Sequence, residues 1–221
     1  MDTFDLYKDI QCRTNGEIYL GVVGPVRSGK STFIKRFMDV LVLPKMTDEH
    51  AKERTVDELP QSASGKSIMT TEPKFVPKEA AEIQLAKDVS VLVRLIDCVG
   101  YMVEGAAGYM ENGAERLVKT PWNEKEIPFT KAAEIGTKKV IHDHSTIGIV
   151  VTTDGSIGEL PRNSYRAAEK KTIQELKSIG KPFVVLVNTR KPYSAEAKNV
   201  AEEIQKEYQV TALPVNCEQL R

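Results

Sequence analysis

The chain has 221 residues, 41% of them hydrophobic, and its 31 basic side chains are matched by 31 acidic ones. That is enough chain for one domain with a substantial core, and a formal charge of zero excludes the basic footprint by which proteins hold nucleic acid. Nowhere do 18 uncharged apolar residues follow one another, and the N-terminal "MDTFDLYKDIQCRT" carries Asp2, Asp5 and Asp9, so neither a membrane span nor a secretory leader is expected. The chain reads as cytosolic. Cys12, Cys98 and Cys217 are odd in number, far apart and without C-x-x-C spacing, which argues for reduced thiols rather than a disulfide frame or zinc site.

The first predicted element is a buried strand, "IYLGVV", Ile18 to Val23. A helix follows, in which Phe33, Ile34, Phe37, Met38 and Leu41 recur at helical spacing until Pro44. Between them lies "GPVRSGKST", which meets the pattern G-x-x-x-x-G-K-[ST] at Gly24, Gly29, Lys30 and Ser31. The glycines let Gly24, Pro25, Val26, Arg27, Ser28, Gly29, Lys30, Ser31 and Thr32 curl so that backbone N–H groups face phosphate oxygens. The helix N-terminus adds positive potential, Lys30 can reach the β- and γ-phosphates, and Ser31 can ligate Mg²⁺.

The segment from about 45 to 75 is polar and punctuated by Pro60, Gly65 and Pro73; it reads as a long loop holding at most one short helix. It contains Thr70 and Thr71, either of which can ligate Mg²⁺ and touch a γ-phosphate; the sequence does not choose between them. "AEIQLA" and "VSVLVRLID", separated only by Lys87 and Asp88, form an antiparallel pair at one edge of the sheet. The second ends in the tetrad "DCVG", where Asp97 can hold Mg²⁺ and Gly100 can offer its N–H to a γ-phosphate. A long segment, about 101–128, comes next. It is either a switch that passes the nucleotide state to a neighbour or an insertion that covers the sheet edge.

Further strands are expected at 146–154, 181–188 and 210–216. The helices between them carry the stripes Tyr165, Ala168, Thr172, Leu176, Ile179 and Ala197, Val200, Ala201, Ile204, Tyr208. His142 and His144 suit a helix end rather than a metal site, and Lys138, Lys139, Lys170 and Lys171 read as solvated helix faces. Alternating strands and helices specify a single doubly wound, mostly parallel α/β domain of the P-loop NTPase type, with helices on both faces and one antiparallel edge strand.

The order of phosphate loop, loop threonines, antiparallel pair, D-x-x-G and a later strand ending in asparagine resembles the translation-factor-related class of P-loop GTPases. More closely, "GPVRSGKSTFIKRFM", "DELPQSASGKSIMTTEPKFVP", "LIDCVGY" and "AAEIGTKKVIHDHSTIGIVVTTDG" resemble the stage IV sporulation protein A family, the scaffold of the bacterial spore coat. The similarity runs along the whole chain but covers only the N-terminal nucleotide-hydrolysing domain of that family. It implies an ATPase that uses Mg-ATP and polymerises on the forespore surface, in the mother-cell cytoplasm. Its implied partners are further copies of itself, a small membrane-associated anchor peptide and other coat proteins. For Thr70 and Thr71 it implies orientation of the attacking water.

In GTPases of this class the strand ending "LVN" is followed by N-K-x-D, whose aspartate accepts from guanine N1 and N2. Here the tetrad is Asn188, Thr189, Arg190 and Lys191; Lys191 carries only donors, so guanine selectivity should be lost and ATP is favoured. Asn188 is expected to brace the phosphate loop, and Asn216 in "PVNCEQL" to stand at the last base-contacting loop. Tyr101 occupies the position after D-x-x-G where many such enzymes place a water-orienting glutamine. Arg27 either supplies charge to the transition state or is a solvated loop arginine. A regulatory GTPase and a P-loop kinase are the competing classes; Lys191 opposes the first, and the lack of a recognisable acceptor pocket or lid arginine pair opposes the second.

Overall fold

The computed structural model describes residues 15–60, 72–86, 89–111 and 113–220. In chain order the elements are β1 (Glu17–Val23), α1 (Lys30–Phe37), α2 (Glu49–Glu58), β2 (Lys74–Ala86) and β3 (Val89–Asp97). Two short hairpins follow, β4 (Met110–Glu111) with β5 (Ala114–Glu115) and β6 (Leu117–Thr120) with β7 (Asn123–Pro128). The chain continues through α3 (Phe129–Lys139), β8 (Ile147–Thr153), α4 (Arg162–Ser178), β9 (Phe183–Asn188), α5 (Ala195–Tyr208) and β10 (Ala212–Val215).

The main sheet has the order β10-β9-β8-β1-β3-β2, parallel throughout except for β2, which runs antiparallel to β3 at the edge. The mostly parallel α/β sheet and its antiparallel edge strand are therefore as the sequence predicts. Successive side chains alternate between its two faces. Val185 and Val187 of β9 enter the layer built by α4 and α5, whereas Leu186 between them joins the layer under α1. On β3, Leu95 faces α1 and Ile96 the opposite layer. Ile34, Leu95, Ile96, Ile173 and Leu176 are fully buried, each worth about 1.5–3 kcal/mol relative to exposure. Because α1 and α4 cover opposite faces, the carboxyl ends of β1, β3, β8 and β9 meet at the end of the sheet where such folds bind ligands.

Three local details differ from the expectation. Leu41 is 43% exposed and Val42 is fully buried, because α1 runs on into a π-helical turn, Met38–Val42, whose extra residue advances the buried stripe by one position. β2 begins at Lys74 rather than at Ala81, with a register shift between Val76 and Ala81 that absorbs Pro77 at a sheet edge where its missing N–H matters least. Ile179 leaves the α4 stripe and is 37% exposed, because the helix stops at Ser178 and Gly180 turns the chain at φ 65°. The expected long loop at about 45–75 holds α2, capped by Asp48, whose side chain accepts from the N–H groups of His50 and Ala51.

Candidate functional site

The loop after β1 adopts a shape that only its glycines allow. Gly24 has φ 133°, and a Cβ there would lie 2.3 Å from the Val151 carbonyl oxygen; Gly29 has φ 97°, and its Cβ would lie 2.2 Å from Asn188 Nδ2. Arg27 is also left-handed, at φ 60°. α1 starts beyond Gly29 with no side-chain cap and no acidic residue in its first turn, which includes Ser31 and the partly buried Thr32. Its first N–H groups are thus left to an external anion.

Lys30 is 5% exposed and its Nζ donates to Pro25 O at 2.6 Å, inside the loop. Burial pushes its ammonium below the usual lysine range, and Asp97 opposes that only in part. Ser31 Oγ donates to Asp97 Oδ2 at 2.7 Å. Burial pushes the Asp97 carboxyl up, against the pull of Ser31 and Lys30. Asp97 Oδ1 is buried without a hydrogen-bond partner, and so is Ser28 Oγ. A hydroxyl and a buried carboxylate with an unused oxygen are the hard donors that Mg²⁺ takes, so the residues present fit that ion. Gly100 closes the cradle: at φ 94°, any Cβ would sit 2.1 Å from Gly24 O and 2.7 Å from Lys30 Nζ.

On the far side, Asn188 is 2% exposed and uses both ends of its amide. Nδ2 donates to Ser28 O at 3.0 Å, and Oδ1 accepts from Cys217 N–H at 3.1 Å, so one side chain ties the phosphate loop to the turn after β10. Asn216 spends its Oδ1 on the Glu218 N–H, shaping that turn. Thr189 is 1% exposed; its Oγ1 accepts from Lys191 N–H, and the Lys191 residue itself is exposed. A contact the sequence did not signal joins this loop to the one after β8. Ser156 Oγ donates to Asp154 Oδ1 at 2.6 Å and accepts from Arg190 N–H at 3.1 Å. Behind it, Glu169 is 2% exposed and holds Arg162 in a bidentate pair while accepting from Thr152 Oγ1. Arg162 and Glu169 are seven residues apart in α4, two turns on one face, which was the readable signal.

The remaining candidates are distributed differently. Arg27 is exposed, and its guanidinium donates to Ala107 O at 3.1 Å, in the segment after D-x-x-G. Tyr101 is 3% exposed, with its ring turned into the core rather than toward the loop. Thr70 and Thr71 lie outside the described residues, as does Cys12. Cys98 and Cys217 are buried free thiols, with Cys98 pushed up to about 11 by desolvation, so both are inert. His142 bonds Glu175 at 2.8 Å and His144 packs edge-on to Phe75. Among the described residues no cluster of three or more His, Cys, Asp or Glu side chains could hold a metal, and no helix is long and apolar enough to cross a membrane.

The family model for stage IV sporulation protein A, ATPase domain, matches residues 1–221. The chain belongs to this family. Curated stage IV sporulation protein A from Bacillus anthracis is 51% identical over 221 residues, covering 100% of this chain and 45% of that protein. The Clostridioides difficile protein is 57% identical over 212 residues, 96% of this chain and 43% of its own length. That of Bacillus subtilis is 51% identical over 221 residues, with 45% of its length covered. The chain thus spans less than half the length of these curated relatives. Among solved structures, an SsGBP mutation variant aligns with TM-score 0.46 and 14% identity, over 94% of this chain and 52% of that one.

Proposed function

We propose that this domain binds Mg-ATP in the crevice above β1 and β3 and hydrolyses it to ADP and phosphate, and that this hydrolysis drives self-assembly of a spore coat scaffold at the forespore surface. The observation that carries the chemistry is the pairing of Ser31 Oγ with Asp97 Oδ2 at 2.7 Å beside buried Lys30, with Asp97 Oδ1 still unused. Ser31 and Asp97 would hold magnesium, which would supply charge neutralisation to the phosphates. The chain's own residues do the rest. The N–H groups at the start of α1 hold the β-phosphate, and Lys30 exchanges Pro25 O for phosphate oxygens. Gly100 offers its N–H to the γ-phosphate, and Thr70 or Thr71 orients the water. In-line displacement by water needs positioning and charge stabilisation rather than a covalent nucleophile, so the reaction does not require a dedicated general base.

Adenine is favoured over guanine by Lys191. A cation where the GTPases carry aspartate leaves guanine N1 and N2 donors without an acceptor, at about 1–3 kcal/mol for each buried group. Assembly, the coat partners, the anchor peptide and the mother-cell location rest on the family, whose curated members are named for stage IV of sporulation. The test is steady-state phosphate release with Mg-ATP and Mg-GTP, each repeated with Lys30→Ala. Lys30-dependent release that prefers ATP is expected. A preference for GTP would overturn the base assignment, and Lys30-independent release would overturn the site.

A further inference from the structure

The D-x-x-G loop does not end in a group aimed at the phosphates. The backbone of Tyr101 forms a parallel bridge with Pro25: Tyr101 N–H donates to Gly24 O at 3.2 Å and Val26 N–H donates to Tyr101 O at 2.9 Å. The two loops are therefore laced together at the residue that follows Gly100, and Gly100 itself sits so close to Gly24 O and Lys30 Nζ that a Cβ would not fit between them. Two backbone hydrogen bonds between loops contribute only about 0.5–1.5 kcal/mol each. What backs them is the Tyr101 side chain, which is buried in the core cluster with Val23, Val26, Ile141 and Ile173.

The ring is closed off from solvent by a cation. Lys171 Nζ lies 4.6 Å from the ring centroid and pairs with Glu134 at 3.0 Å, so α3 and α4 together clasp the tyrosine. Burial would push Glu134 up, yet its bonds from Lys171 and Lys138 hold it below the usual carboxylate range. The phenol oxygen is buried with no hydrogen-bond partner, so the ring and not the hydroxyl does the anchoring.

We propose that Tyr101 is a positioning residue: its buried ring, clasped by Lys171, holds the Gly100 N–H at the place where a γ-phosphate would meet it. The proposal rests on the nucleotide reading above and concerns only the third phosphate, since Gly100 touches neither of the other two in that reading. It also assigns Lys171 a role that its solvated appearance in the sequence conceals.

The experiment compares the affinity of this chain for Mg-ADP and for the magnesium complex of β,γ-imido-ATP, in the native protein and in Tyr101→Ala, Tyr101→Phe and Lys171→Met. Tyr101→Ala should lose about tenfold for the imido analogue, the worth of one hydrogen bond to a charged oxygen, while Mg-ADP affinity stays within about twofold. Tyr101→Phe should restore the native ratio because the hydroxyl has no partner. Lys171→Met keeps the aliphatic stem and removes the charge, and should lose about two- to fivefold for the imido analogue alone. Equal losses for both nucleotides in Tyr101→Ala would mean a merely structural role and overturn the proposal. If Tyr101→Ala does not fold, an unchanged ratio in Lys171→Met overturns it. Failure of the native chain to bind either nucleotide overturns the nucleotide reading itself, and is distinguishable because it is measured before any variant.

Discussion

Asn188 offers a test of how the phosphate loop keeps its shape. Replacing it by alanine strands two buried groups at once, the Ser28 carbonyl and the Cys217 N–H, which now meet the amide at 3.0 and 3.1 Å. An orphaned buried group costs about 1–3 kcal/mol, so about 3 kcal/mol is expected for the pair even with some rescue by water. In a domain of this size that lowers Tm by about 6–12 °C. Asn188→Asp is the sharper variant. It keeps the shape and the bond to Cys217, but sets a carboxylate oxygen where Nδ2 now faces Ser28 O, acceptor against acceptor. At neutral pH it should be at least as destabilised as the alanine variant, and it should recover when acidified, because a protonated carboxyl can donate again. Urea unfolding followed by circular dichroism measures both. An aspartate variant within about 0.5 kcal/mol of the native chain at neutral pH would refute the claim that the Nδ2 donation holds the loop.

Asp97→Asn should abolish Mg-dependent hydrolysis yet raise the stability of the protein by about 1–2 kcal/mol, seen as a higher midpoint in urea. Burial raises the folded pKa of Asp97, so its contribution is favourable only where it is protonated and is lost as pH rises through that value. The advantage of asparagine should therefore be present near neutrality and vanish at about pH 3, below the ordinary carboxylate pKa; an advantage of equal size at both would refute the cause given. Arg162→Met should cost about 3–5 kcal/mol because it abandons the buried Glu169 charge, and the double change with Glu169→Leu should recover most of it; a double variant no better than the single one would refute the pairing. Lys191→Asp should move nucleotide competition toward GTP, read as displacement of a fluorescent nucleotide; unchanged competition would mean that the base is not read at this position.

Most of the architecture was legible because its signals are local. Apolar strand runs ending in Asp97 and Asn188, the glycine spacing of the phosphate loop, and the stripe of α5 each specify an element. Elements were misplaced where a local irregularity shifted the register. The π turn at Met38–Val42 exchanges Leu41 for Val42, and no periodicity in the sequence announces it. The candidate site divides in the same way. Backbone-shaping residues such as Gly24, Gly29 and Gly100 were readable because only glycine adopts their conformations. Side chains whose partners lie far along the chain were not: Arg27 meets Ala107 80 residues away, Ser156 meets Arg190 34 away, and Tyr101 meets Lys171.

The bond from Lys30 to Pro25 O has a consequence for the speed and selectivity of ligand capture. The ammonium is stripped of water when the protein folds and is kept company by an oxygen of its own loop. A polyphosphate that enters exchanges one oxygen for another, so the dehydration of the lysine has no place in the binding step. The loop behaves as a mould set around a placeholder. Such a mould takes up ligand without waiting for rearrangement, and it discriminates by charge and fit at the rim of the crevice rather than by the work of assembling itself.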